Sequence, residues 1–244
     1  WARGMGRRRS RLTTQQSLIL QLGYEFGSLF FRTAYTRLVQ RDPSLTGLKA
    51  YSAARPPHAE GLAVWIASYL AHETGCRNIN LLHLSSRKAL EAALLMQQAF
   101  PHIDFRREVT VGHLLLDTDA PTGTYAKVNP PIRPREDVEF LWQMLLGRKV
   151  DWIVSDHACC ATEAKVAAER PDDIWLAKAG FGGTEYLLAG VFSEGSRRGM
   201  SYPHMAELLC WNPARRFGLG GKGDIAPGYD ADLALLDPAR TFTV

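Results

Sequence analysis

Between residues 59 and 73 apolar side chains return every three or four positions, with Leu62, Ile66, Tyr69 and Leu70 on one side. That period predicts a helix, and Gly75 ends it. The apolar run over residues 78–84 reads as a short strand. Ser85-Ser86 then offer hydroxyls to cap a helix over residues 87–98, which Pro101 stops. Residues 104–111 read as a second strand, residues 136–146 as a helix, and residues 152–155 as a third strand ending at Asp156-His157. Further helices are expected over residues 183–194 and 203–209. Residues 1–46 carry no strand–turn–helix rhythm. From Gly220 onward turn residues dominate, and one short strand is expected over residues 233–236.

Strands alternating with helices imply an α/β fold on a parallel sheet. Polar side chains gather where the strands end, at His83, Ser85 and Ser86 and again at Ser155, Asp156 and His157. Barrels and doubly wound sheets both place their chemistry at that edge. No G-x-G-x-x-G follows a strand and no G-x-x-x-x-G-K-[ST] occurs, so nucleotide phosphate binding is not expected.

The composition adds limits. The 244 residues are 46% apolar and 22% charged, values of a globular chain with a sizeable core. No apolar run approaches the roughly 20 residues that span a bilayer, so no membrane partner is expected. Four cysteines, with Cys159 and Cys160 adjacent, make no disulfide framework, and the expected compartment is the reducing cytoplasm. The net charge of +4 is uneven: residues 1–50 hold nine Lys/Arg against two Asp/Glu, the remainder twenty against twenty-three. The arginine-rich start lacks interleaved aromatics and reads as a solvated segment, so no nucleic-acid partner is expected.

His83 and Asp156, each ending a strand, can meet at one mouth, and imidazole and carboxylate both suit zinc. They belong to a longer series. Arg55-Pro56-Pro57-x-x-Glu60 precedes His83-x-Ser85-Ser86, then Glu108-Val109-x-x-x-His113. Asn129-Pro130-Pro131-Ile132-Arg133, Ser155-Asp156-His157 and Gly180-x-x-Gly183-x-Glu185 follow. Asn212-Pro213-Ala214-x-x-Phe217-Gly218 and Lys222-Gly223-x-Ile225-x-Pro227-Gly228-x-Asp230-Ala231-Asp232 close it. The series resembles the cyclic amidohydrolases of the amidohydrolase superfamily, the group of dihydroorotase, allantoinase, hydantoinase and dihydropyrimidinase, over about the C-terminal half of a member.

The resemblance implies the later βα units of a metal-dependent (β/α)8 (TIM) barrel that hydrolyses cyclic amides, with zinc in a two-metal site. His83 matches the sixth-strand metal ligand. Asp156 matches the eighth-strand aspartate, which ligates metal and acts as catalytic general base. Asn129 matches a substrate-binding loop position, and Gly182 and Gly183 a loop whose backbone approaches the substrate. The implied partners are a small cyclic amide or ureide and further copies of the chain as a homo-oligomer. Residues 47–219 are assigned to the barrel, residues 220–244 to the start of a small β-domain, and residues 1–46 to no part of the pattern.

The departures matter equally. The first histidine is His58, so no His-x-His pair and no fifth-strand histidine precede it. Lys49 lies too close to His83 for a carboxylated fourth-strand lysine and reads as a surface residue. A truncated or frameshifted chain, inactive alone, is one expectation; a non-catalytic scaffold that lost its metal is the alternative. Cys160 stands where dihydroorotases commonly have histidine, which favours the allantoinase or hydantoinase type, and it reads as a buried filler. His113 reads as a structural strand-end residue, and His58, His72, His102 and His204 as surface residues. Trp65, Trp142, Trp152, Trp175 and Trp211 read as core.

Overall fold

The computed structural model describes residues 35–158 and 160–241. Three parallel strands form one sheet in the order β1 (Asn78–Leu81), β2 (Asp104–Thr110) and β3 (Trp152–Val154). Leu81 lies opposite Arg107, Glu108 opposite Trp152 and Thr110 opposite Val154. The helices are α1 (Gly47–Ala53), α2 (Pro57–Glu73), α3 (Arg87–Ala99), α4 (Val111–Leu115), α5 (Arg135–Leu146), α6 (Thr162–Lys165), α7 (Thr184–Arg197), α8 (Tyr202–Ala206) and α9 (Asn212–Arg216). A wider helical turn at Glu207–Trp211 joins the last two. Helix α3 begins as its sequence suggests: the Ser86 hydroxyl accepts the Ala89 N–H at 3.3 Å.

Side chains of a strand alternate between faces. Ile79, Leu81, Phe105, Val109 and Ile153 enter the main core with Leu90, Leu141, Trp142 and Leu145 of the helices. Each large apolar side chain fully buried there contributes about 1.5–3 kcal/mol relative to exposure. Asn80, Arg106, Glu108, Thr110 and Trp152 take the opposite face. The sheet is thus mainly apolar under its helices, and its other face is mixed, with the buried Trp152 among polar side chains.

Several sequence expectations are corrected. Helix α2 buries Gly61, Val64, Ser68 and Ala71, whereas Leu62, Trp65 and Tyr69 are exposed. The reason is close packing on α3: a Cβ on Gly61 would come within 3.1 Å of the Lys88 carbonyl oxygen, so the contact needs small residues. Trp65 is therefore not core, while Trp142 and Trp152 are almost fully buried. His204 is buried behind its helix and its pKa is lowered by that burial, so it is not a surface residue. Cys160 is exposed rather than a filler. Lys49, by contrast, is exposed as expected, in an ion pair with Asp119.

Residues 220–241 hold no helix and no strand, and Leu233 and Leu235 are 63% and 98% exposed. The strand expected over residues 233–236 does not form among the described residues, because a strand needs a neighbour to pair its backbone. Val244 and the arginine-rich start lie outside the described residues.

Candidate active site

Both residues expected to ligate metal sit two positions beyond the C-terminal end of a strand. His83 follows β1 and Asp156 follows β3, on the same edge of the parallel sheet with β2 between them. At about 4.8 Å per strand, their chains leave the sheet roughly 10 Å apart. Both occupy the left-handed backbone region, His83 at φ 40° and Asp156 at φ 48°. Such a conformation costs a non-glycine residue on the order of 1–3 kcal/mol and persists only where surroundings enforce it.

At His83 three successive N–H groups are anchored. His83 N–H donates to Glu108 Oε1 at 3.1 Å, Leu84 N–H to the Glu108 carbonyl at 2.8 Å, and Ser85 N–H to Glu60 Oε1 at 2.7 Å. The Glu108 carboxylate is buried and also accepts the Trp152 Nε1–H at 2.8 Å. One side chain on β2 therefore ties the end of β1 to β3.

Glu60 carries a second network. Its Oε2 accepts from the hydroxyls of Ser85 and Ser86, each at 2.8 Å, and from Arg133 at 3.2 Å. The Arg133 guanidinium is 2% exposed and donates further to Ser85 Oγ at 3.0 Å and to the Arg55 carbonyl at 2.5 Å. Every polar atom of this ion pair is engaged, which is the condition for burying it. Beside it lies His113, whose Nδ1 meets Thr110 Oγ1 at 2.7 Å and whose Nε2 meets the Pro130 carbonyl at 3.0 Å. Burial pushes the His113 pKa down to about 4, and His83 and Arg133 add to the shift. His113 is thus a neutral structural residue, in the middle of α4 and three positions past the end of β2.

At Asp156 the neighbouring loop does the holding. His157 Nδ1 accepts the N–H groups of Gly183 and Thr184, at 3.2 and 3.4 Å, at the start of α7. A Cβ on Gly183 would come within 3.0 Å of the Ser155 carbonyl oxygen, and one on Gly182 within 3.3 Å of His157 Cε1. Gly182 is exposed, whereas Gly183 is buried against Ser155. Asn129 is exposed near the same edge, its Oδ1 accepting from the Tyr51 hydroxyl at 2.8 Å.

Residues 133–244 match the model of the amidohydrolase family. Over this span, somewhat under half of the chain, the sequence is similar to that family. An allantoinase of Rubrobacter xylanophilus is 40% identical over 198 residues, covering 80% of this chain and 42% of that protein. An allantoinase of Salmonella gallinarum is 36% identical over 197 residues, with the same coverage. Among solved structures, the L-hydantoinase (dihydropyrimidinase) of Arthrobacter aurescens superposes with a TM-score of 0.75 at 30% identity, over 83% of this chain and 44% of that one. The chain therefore spans less than half the length of these three relatives. Its fold is part of a hydantoinase-like α/β architecture.

The amidohydrolase resemblance implies zinc, and the residues present fit only part of such a centre. His83 and Asp156 offer one imidazole and one carboxylate, and among the described residues no group of three or more His, Cys, Asp and Glu gathers to hold a metal ion. Residues 1–34 contain no histidine to add. Catalytic zinc takes three protein ligands and a water. A complete two-metal centre is not furnished by these residues. The sequence reading also missed the residues that support the strand ends, Glu108 and Trp152 above all. The available signal was the place of Glu108 in the Glu108-Val109-x-x-x-His113 motif, on a strand that is itself largely polar.

Proposed function

We propose that this chain supplies part of the active-site wall of a hydrolase that opens cyclic amides or ureides, of allantoinase or hydantoinase type, and that alone it turns over negligibly. The observation that carries this reading is the pair His83 and Asp156, held in left-handed backbone at the C-terminal ends of two strands flanking β2. The shared span with allantoinases supports it.

In this reading Asp156 is the catalytic group. Its exposed carboxylate takes a proton from the attacking water as the new C–O bond forms at the ring carbonyl. It returns that proton to the ring nitrogen as the C–N bond breaks, which leaves an acid and a freed nitrogen group. Asn129 offers its amide to the ring, and the loop at Gly182 and Gly183 closes on it. Of these two glycines Gly182 is the exposed one, and Gly183 keeps the loop seated on Ser155. Zinc bound by the complete protein would polarise the carbonyl and acidify water. His83 and Asp156 are the residues here that would face it.

The test has two parts. Hydantoin and allantoin added to the labelled protein should shift the NMR signals of Asn129 and Gly182. Unmoved signals at saturation overturn the cyclic-amide reading. Assays on hydantoin, allantoin and dihydroorotate with zinc or manganese and bicarbonate should show negligible turnover. A rate of about 1 s⁻¹ or more that Asp156→Ala abolishes overturns the statement of incompleteness.

The same lack of a three-ligand group favours a second reading, a non-catalytic relative that kept the fold. Stoichiometric, tightly held zinc in the purified protein would dismiss it. The exposed Leu62, Trp65 and Tyr69 on α2 support self-association, which sedimentation velocity reads directly. The three described cysteines are all unpaired, which supports placement in the cytoplasm. Among the described residues no helix is long and apolar enough to cross a membrane.

A further inference from the structure

Lys165 ends α6, nine residues past Asp156, and its side chain is turned inward, with the residue 4% exposed. The Nζ donates to three backbone carbonyls: Lys127 at 2.9 Å, Lys178 at 2.7 Å and Gly180 at 2.5 Å. An ammonium has three N–H donors and no acceptor, so three converging carbonyls saturate it. Among the described residues no carboxylate contacts it. The oriented carbonyl dipoles take the place of water, and burial still lowers its pKa.

The three carbonyls come from separate parts of the chain. Lys127 stands two residues before Asn129, and Gly180 two before Gly182. The two segments also touch directly, since Gly180 N–H donates to the Lys127 carbonyl at 2.9 Å. Lys178 N–H donates to the Lys165 carbonyl at 2.9 Å, which closes the ring. A second buried ammonium, that of Lys127, donates to the carbonyls of Trp175, at 3.3 Å, and Ala177, and lies 4.8 Å from the centre of the Tyr51 ring. Tyr51 in turn holds Asn129. No stretch of sheet or helix joins the Asn129 loop to the glycine loop. Their relative position rests on these polar bonds and on an apolar cluster in which Phe181 packs with Val128 and Ile132.

We infer that Lys165 is a positioning residue: its ammonium sets the spacing between the Asn129 loop and the Gly182–Gly183 loop, the two walls between which a cyclic amide would sit. The significance of that spacing for a ring substrate rests on the function proposed above; the coupling of the two loops does not. Lysine suits the task because its three donors rotate on a flexible stem to meet carbonyls converging from different directions. A planar guanidinium would not.

Amide hydrogen exchange on the whole chain tests the coupling without any substrate. Lys165→Met keeps the stem and removes the donors. We expect residues 127–129 and 180–184 to lose protection together, by about tenfold or more, while α3, α5 and the three strands keep theirs. Loss in one loop only, or in neither, overturns the inference. A general loss of protection, with strands and helices exchanging as well, also overturns it in favour of a purely structural lysine.

Should the variant not fold, the wild-type protein still decides. With ¹⁵N-labelled lysine, the Lys165 ammonium should exchange slowly with water and show couplings across its hydrogen bonds to the carbonyl carbons of Lys127 and Gly180. A fast-exchanging ammonium without those couplings would sink the proposal. If the coupling holds while hydantoin leaves Asn129 and Gly182 unmoved, the cyclic-amide reading fails and the role of Lys165 stands.

Discussion

Glu108 reaches from the middle strand to the backbone of His83, its Oε1 accepting that N–H at 3.1 Å while Oε2 takes the Trp152 indole N–H at 2.8 Å. The strained turn at His83 and the start of β3 are thus fixed by one buried carboxylate. Glu108→Gln replaces one acceptor oxygen by an NH2 group, so one of the two donors faces another donor. We expect a loss of about 1–3 kcal/mol in urea unfolding, with faster exchange of the His83 N–H. A change below about 0.5 kcal/mol would show that the bridge does not form in solution.

His113 should govern part of the acid limb of stability. Its pKa is about 4 in the fold, chiefly through burial, against 6.5 as its ordinary value. The unfolded chain therefore binds the proton first as pH falls. Stability is fully present above pH 6.5 and is lost as pH falls toward 4, by up to roughly 3 kcal/mol. His113→Gln removes this titration. Unfolding free energies measured between pH 7 and 4 should fall more steeply for the wild type than for the variant.

Arg133 is held by geometry as much as by charge. Arg133→Met leaves the Glu60 carboxylate partly buried without its cation, and we expect a loss of about 3–5 kcal/mol. Arg133→Lys should restore little of it. A single ammonium cannot reproduce a fork that meets Ser85, Glu60 and the Arg55 carbonyl together. Equal melting temperatures for the lysine variant and the wild type would contradict this account.

Two glycines with positive φ should respond differently to alanine. At Gly180, φ is 107° and a Cβ would lie 2.8 Å from the Ala158 Cβ, so strain and collision add. At Gly123, φ is 55° and nothing lies within 4 Å. Gly123→Ala should cost only the left-handed penalty, about 1 kcal/mol, and Gly180→Ala clearly more. Paired thermal unfolding curves check the order.

The period of apolar residues placed the three strands within a residue or three of their ends and set α3, α5 and α7 between and after them. Local rules suffice for these, because turn residues, caps and periodicity act within a few positions. The polar strand ends were legible for the same reason. His83 and Asp156 break apolar runs, and their order along the chain, with Asn129 and the glycine loop, carried the family resemblance.

Contacts between distant parts of the chain were not legible. Helix α2 turned its small residues inward because α3 lies against it, a fact about distance of approach rather than about hydrophobicity. Arg133 meets Glu60 across 73 positions, and Lys165 meets the Lys127 carbonyl across 38. The segment over residues 233–236 is a short apolar run like a strand's but forms no strand among the described residues, and it stays exposed. The sequence by itself determined which local elements form and which chemically capable side chains end the strands, since both follow from covalent neighbours. Tertiary structure alone decided what those side chains are held by. A buried polar group must find its partner wherever folding brings one, and the chain does not state that distance in advance.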